Sequence, residues 1–306
     1  MRTVIFSDSI LISATRPYFW TLTLFGIVLP PNYILRTIQP TNRQWLLFLI
    51  RIVFTIYALL HWTFTGFWIA YLNKNFLNNY VRRNSLDSKT YILTIGIIIV
   101  QLIVQTVIHA QALMGHQQLR RILINVVQLE SDIREHASAV CSLCAIRWRF
   151  FLHIGLWLLL LCTFIMYLYY ELSPGKYTAL HQVVSIFGYT LTQMKGVEYC
   201  VSVQLIHELL HLVQQQLTHL SWKLERCERL ELRWDLFVQL QTNQALLSRV
   251  WHLLNQVERY FYLPVLMLFF CNGFLMTQTI HWGYINLELD DLKLRLCKFS
   301  RDSTHV

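Results

Sequence analysis

One stretch of this 306-residue chain has residue types and spacing that do chemistry: His207-Glu208-Leu209-Leu210-His211, an H-E-x-x-H. On a helix its two imidazoles stand one turn apart and can hold zinc, with the glutamate as general base toward a bound water. Zinc hydrolysis also needs a third protein ligand and an open coordination position. Glu231 follows, but inside a solvated charge run, and the acidic stretch Asn286–Asp291 lies beyond the last apolar segment. With 12 His in the chain, a chance match is unsurprising. The same residues read equally as the lower end of a membrane helix running on into water. We therefore assign no catalytic residue, no metal ligand and no cofactor, and expect no enzyme. An intramembrane zinc metalloprotease using His207, Glu208 and His211 stays as an alternative.

The elements that would position this stretch point to a membrane. The chain is 55% hydrophobic and only 14% charged, with a mean hydropathy of +0.41. Soluble domains run to about 45–50% apolar and about 25% charged residues. The charges cluster between apolar blocks, and Gly and Pro are sparse. The expected class is all-α, a polytopic helical membrane protein with about five spans. The net charge of +9 is read as Lys and Arg at span ends, so no nucleic-acid partner is expected. The seven scattered Cys form no disulfide framework, and Cys141-x-x-Cys144 lacks a second pair.

Residues 1–44 read as an N-terminal segment. Its apolar run Tyr18–Pro31 is too short to cross about 30 Å of hydrocarbon and is stopped by Pro30-Pro31. It is expected to lie in the interface or to pack on the bundle. The bundle spans 45–284, with crossings at about 45–72, 89–114, 148–171, 177–206 and 260–284. A polar loop is expected over Asn73–Ser88. Gln101, Gln105 and His109 repeat every four residues in the second span. They form one helix face, which belongs against other helices rather than lipid.

The fourth span carries His181, Gln182, Gln193, Lys195, Glu198 and Gln204. A helix this polar belongs inside the bundle, and Lys195 can pair with Glu198 at i, i+3. It continues as an amphipathic helix with a stripe of Leu205, Leu209, Val213, Leu217, Leu220 and Leu224. A second amphipathic helix leads into the fifth span. Residues 207–259 thus form long helical extensions of spans four and five, and 285–306 reads as a short polar tail. Placing the N-terminus inside puts fifteen Lys/Arg on the cytoplasmic side. That leaves five outside: Lys74, Arg82, Arg83, Lys89 and Lys176. The bias predicts a cytoplasmic N-terminus and cytoplasmic extensions in a multi-pass plasma-membrane protein. Five spans would leave the tail outside, which leads us to expect further helices beyond it.

Three stretches in this order carry a resemblance: Phe25-Gly26-x-x-Leu29-Pro30 before the first span, HELLHLVQQQLTHL after the fourth, and LLSRVWHLLNQVERYFYLPVLMLFF into the fifth. Together with long basic inner loops and short outer ones, the chain resembles insect gustatory receptors over residues 17–283. These are seven-helix chemoreceptors related to odorant receptors. The resemblance implies a ligand-gated cation channel with inverted topology compared with G-protein-coupled receptors. It implies assembly as a homo- or hetero-tetramer of related subunits, anchored by the cytoplasmic helices. It also implies a small-molecule tastant bound in the outer half of the bundle. The sixth and seventh spans of the family, with the Thr-Tyr…Gln-Phe ending of the seventh, are not found here. The chain alone is therefore expected not to conduct.

In the outer halves of the spans, candidate ligand contacts are Tyr91 and Thr94, then Met166, Tyr167 and Tyr170. Spans four and five add His181, Ser185 and Tyr189, then Gln278, His281 and Trp282. Aromatic bodies with polar tips suit an apolar pocket with few hydrogen bonds. The competing explanations are an aromatic belt for Tyr170 and Trp282, and ordinary packing for the rest. A membrane transporter is the other reading, though no internal repeat is visible.

Overall fold

A computed structural model of the chain describes residues 9–30, 44–84, 88–136, 143–172, 179–226 and 230–303. Among them there are seven helices and no strand: α1 (Ile10–Leu24), α2 (Gln44–Asn84), α3 (Ser88–Met114), α4 (His116–His136), α5 (Leu143–Leu172), α6 (Ala179–Glu225) and α7 (Leu230–Ser303). The chain is a polytopic helical membrane protein. Four of these helices are long and apolar enough to cross a membrane, at Phe48–Trp68, Ile95–Met114, Leu143–Thr163 and within Arg233–Gln278. Helix α6 does not meet that measure, because its polar residues lower its hydropathy, and those residues turn inward. Thr192, Gln193, Lys195, Glu198, Ser202, Gln204 and Glu208 are all buried. Helix α6 packs most extensively on α7 and also touches α1, α2, α3, α4 and α5.

Several boundaries differ from the sequence reading. The polar stretch 73–84 continues α2 rather than forming a loop. Residues 230–303 form one helix, so the amphipathic segment, the apolar span and residues 285–303 of the expected tail are continuous. Polarity lowers hydropathy without ending a helix, and no Gly or Pro interrupts 274–303 apart from Gly283. At about 1.5 Å per residue, α6 is about 70 Å long and α7 about 110 Å. Both exceed about 30 Å of hydrocarbon more than twofold, so each must extend far outside the membrane.

Helix α1 begins eight residues before the apolar run that announced it, at Ile10. Ser9 caps it locally, its Oγ accepting from the Ile12 N–H at 3.1 Å. Glu130 of α4 supplies the rest. Its carboxylate accepts from Ser9 Oγ at 2.5 Å and from the Ile10 N–H at 2.9 Å. A carboxylate at a helix N-terminus also complements the macrodipole. Arg134 pairs with Glu130 from the other side.

Helix α1 ends in a Schellman turn. Gly26 has φ +69, its N–H bonds Thr23 O, and the Ile27 N–H bonds Leu22 O. The left-handed conformation requires Gly there. The turn sends Ile27, Val28 and Leu29 into the core, each 1–2% exposed. Gly26 lies against Ala58 and Tyr57 of α2, and Tyr57 Oη donates to Leu24 O. Residues 9–30 are therefore packed on the bundle.

Replacing Glu130 with Ala leaves the first N–H groups of α1 without an acceptor in a buried setting. Glu130→Ala is expected to cost about 1–3 kcal/mol. It should also speed amide exchange in residues 10–24 before any change in α6. Unchanged protection of α1 would show that Glu130 does not hold it.

Candidate functional site

The polar groups inside the bundle fall into two layers. The inner one converges on Tyr260. Pro264, inside α7, has no N–H and cannot bond the carbonyl four residues back. That carbonyl belongs to Tyr260, and Gln111 of α3 donates its Nε2 to it. The Tyr260 hydroxyl donates to Glu198 Oε1 of α6 at 3.2 Å. Glu198 Oε2 takes Lys195 Nζ at 2.5 Å, and neither side chain of this pair reaches solvent. The ammonium also sits 4.9 Å and 5.1 Å from the ring centres of Tyr260 and Phe261. Gly115, at the corner between α3 and α4, lies under the Tyr260 ring. A Cβ there would meet Gln111 O at 2.8 Å and Tyr260 Cε2 at 3.0 Å.

The outer layer joins α2, α3 and α6. His61 and His109 rings stand 5.7 Å apart. His109 Nδ1 bonds the Gln105 carbonyl at 2.9 Å. Tyr57 and Phe187 flank His61 at 6.0 Å and 5.5 Å, and Phe25 from the α1 turn reaches Phe187 at 6.0 Å. Gln105 and His109 are 0% and 2% exposed. This bears out the reading that their helix face points into the protein. Yet His109 Nε2, His61 Nδ1 and both polar atoms of the Gln105 carboxamide have no hydrogen-bond partner among the described residues.

Eight of the eleven candidate contacts have side chains outside the described ones: Tyr91, Thr94, Met166, Tyr167, Tyr170, His181, Ser185 and Trp282. Tyr189, Gln278 and His281 are half-buried. Measured along α3 and α7 from the Gln111–Tyr260 junction, Tyr91 lies about 30 Å out and Gln278 about 27 Å. The two therefore share one end of the bundle. Gln105 is only about 9 Å from the junction, so the unpartnered layer lies well inward of them. Sequence reasoning gave the Gln105–His109 face a packing role and overlooked His61. The available signal was a single imidazole in the middle of a largely apolar first span.

The H-E-x-x-H is a tie between helices. Arg149 of α5 grips Glu208 with both Nε and Nη2, at 2.9 Å and 2.6 Å. Gln204 donates to the same carboxylate at 2.9 Å. Glu208 is 1% exposed and its oxygens are occupied by Arg149 and Gln204, so it is not disposed as a general base. His207 is exposed and lies edge-on to His153, 6.5 Å away. Half-buried His211 bonds Gln215 one turn on.

The sequence matches the 7tm Chemosensory receptor family over residues 15–300. The chain belongs to this seven-transmembrane chemosensory receptor family. Curated relatives agree. One Drosophila melanogaster protein, named as gustatory receptor 98b, is 29% identical over 196 residues, covering 63% of this chain and 48% of its own length. Another, named as gustatory receptor 98c from the same species, is 25% identical over 283 residues, 90% of this chain and 67% of its own. The chain thus spans about half the length of the first relative and two thirds of the second. No solved structure matches it. The family is one of receptors rather than enzymes, and the apolar helices α2, α3, α5 and α7 agree with a multi-pass membrane protein.

The Tyr260 junction can be tested as a thermodynamic cycle. Gln111→Leu leaves the proline-freed carbonyl unsatisfied, which is expected to cost about 1–3 kcal/mol. Pro264→Ala restores the missing N–H, so the same Gln111→Leu change should cost less than half as much in that background. Thermal unfolding of the four proteins in micelles reads this, and equal penalties in both backgrounds would refute the bond's role. For the H-E-x-x-H, zinc content of the purified chain is expected to be the same with and without His207→Ala. Arg149→Met should cost about 3 kcal/mol by leaving Glu208 buried and unpaired.

Proposed function

We propose that the chain is a taste chemoreceptor, a subunit of a ligand-gated cation channel that detects small-molecule tastants. It sits in the plasma membrane with a cytoplasmic N-terminus. The water-exposed lengths of α6 and α7 anchor it in a tetramer with copies of itself or related subunits, and conduction requires those partners. The observation that carries the reading is the family match over nearly the whole chain, 15–300. The two relatives' names point the same way. Support also comes from helices far longer than a bilayer, and from exposed Trp222, Trp234, Phe237 and Trp251 on the extensions that a partner subunit would cover.

Ligand contacts at the outer end of the bundle come from Tyr91, Thr94, Met166, Tyr167, Tyr170, His181, Ser185, Tyr189, Gln278, His281 and Trp282. The transporter alternative calls for helices broken near the midplane, whereas α6 and α7 run unbroken within the described residues.

Cells expressing this chain together with related receptor subunits are expected to give a tastant-evoked cation current, and cells expressing the chain alone none. Alanine at Tyr189, Gln278 or His281 should raise the half-maximal tastant concentration about tenfold, the loss of about 1.4 kcal/mol of binding, without lowering surface expression. Full current from the chain alone would refute the need for partners. Unchanged potency in all three variants would remove the outer end as the ligand site.

A further inference from the structure

The outer polar layer does something that packing does not explain. In a membrane interior an unsatisfied polar group costs several kcal/mol, so such groups find partners. Here four polar atoms on three neighbouring side chains are buried without one: His61 Nδ1, His109 Nε2, Gln105 Oε1 and Gln105 Nε2. The inner layer, one to two turns away on α3, links Gln111 Nε2, Tyr260, Glu198 and Lys195 by hydrogen bonds and leaves Gln111 Oε1 unpaired. The two layers lie on different faces of α3, since Gln111 stands about 120° round the helix from Gln105 and about 160° from His109.

The chemistry of the vacant groups can be worked out. His109 Nδ1 is bonded to the Gln105 carbonyl. A carbonyl oxygen only accepts, so Nδ1 carries the hydrogen and Nε2 of the neutral ring presents a lone pair. The Gln105 carboxamide offers N–H donors and a carbonyl acceptor side by side. No Lys, Arg, Asp or Glu pairs with these three side chains among the described residues, so nothing there compensates a charged guest. A single oxygen that donates to His109 Nε2 and accepts from Gln105 Nε2 belongs to a hydroxyl or a water. The walls set the rest of the guest. Tyr57 and Phe187 flank His61 and are 41% and 38% exposed, while Gln105 and His109 are 0% and 2% exposed. Partly exposed aromatic faces beside buried polar groups suit a flat apolar body.

We propose that His109 and Gln105, with His61 beside them, form a hydrogen-bonding subsite for the hydroxyl of a small, neutral, largely apolar ligand such as a phenol or alcohol. The subsite deepens the chemoreceptor reading and rests on it. It lies inward of Tyr91 and Gln278 and level with Tyr189, and the partly exposed Tyr57 and Phe187 beside it give a ligand dissolved in the bilayer an approach from the side.

The test compares two probes that differ by the polar group alone. The full-length chain in lipid nanodiscs is titrated with 4-fluorophenol and with 4-fluorotoluene, followed by fluorine NMR, with empty nanodiscs subtracted. 4-Fluorophenol is expected to bind about tenfold or more tightly, because the toluene leaves the buried polar groups unpaired. His109→Phe and Gln105→Leu, which keep volume and an apolar interior, should each bring the two affinities within about twofold. Their melting temperatures report folding. If either variant fails to fold, His109→Gln replaces it and should weaken the phenol selectively. A phenol preference that survives both variants overturns the proposal. So does phenol uptake no greater than in empty nanodiscs, the result expected if the layer holds water only. The receptor reading fails separately, through the absence of any tastant-evoked current with partners present.

Discussion

The fold depends on one carbonyl. In hydrocarbon no water is available to satisfy a free backbone group, so a proline inside a spanning helix is tolerated only where a neighbour takes the carbonyl it frees. Pro264 frees Tyr260 O, and Gln111 takes it. That bond fixes where α7 crosses α3, and the Tyr260 side chain then fixes where α7 meets α6, through Glu198. Gly115 lets the α3–α4 corner close beneath the same ring. Four helices are thus located relative to one residue. The water-exposed lengths of α6 and α7 are then aimed by it, since a small change of angle at the junction is carried along several tens of Å of helix.

The buried Lys195–Glu198 pair belongs to the same junction. Removing two charges from water costs several kcal/mol per ion, and attraction repays this only with good geometry and further hydrogen bonds. The pair has both: a 2.5 Å contact, the Tyr260 hydroxyl on the second carboxylate oxygen, and two aromatic faces around the ammonium. Its contribution is better understood as position than as stability. An apolar pair of similar volume could fill the space, but it would not tell Tyr260 which rotamer to adopt.

Much of this was legible in the sequence, in proportion to how local each signal is. The helical class, the inward face of Gln105 and His109, the inner position of α6 and the i, i+3 pairing of Lys195 all follow from composition and period. The Phe25-Gly26-x-x-Leu29-Pro30 motif was legible as a resemblance. Its physical meaning is a left-handed glycine that ends α1 and turns three apolar residues into the core. What could not be read are partnerships across large separations: Glu130 with the start of α1, Arg149 with Glu208, Gln111 with Tyr260. Each joins residues 59 to 149 positions apart, and nothing in either partner's neighbourhood names the other. Helix ends were misread for a related reason. Polarity marks where a helix leaves the membrane, and in α2 and α7 it leaves without stopping.

The H-E-x-x-H shows how context reassigns a motif. His at i and i+4 with an intervening Glu is a metal-binding arrangement only if the three side chains face one open site. On α6 they do not. Residues one position apart on a helix point about 100° apart, so a glutamate buried against α5 puts His207 on the flank of the helix. Leu209 at 0% and Leu212 at 5% exposure mark the packed side, and Glu208 shares it. The guanidinium of Arg149 then does for Glu208 what Gln111 does for Tyr260. It satisfies a polar group that the interior cannot leave alone, and in doing so it fixes α5 against α6.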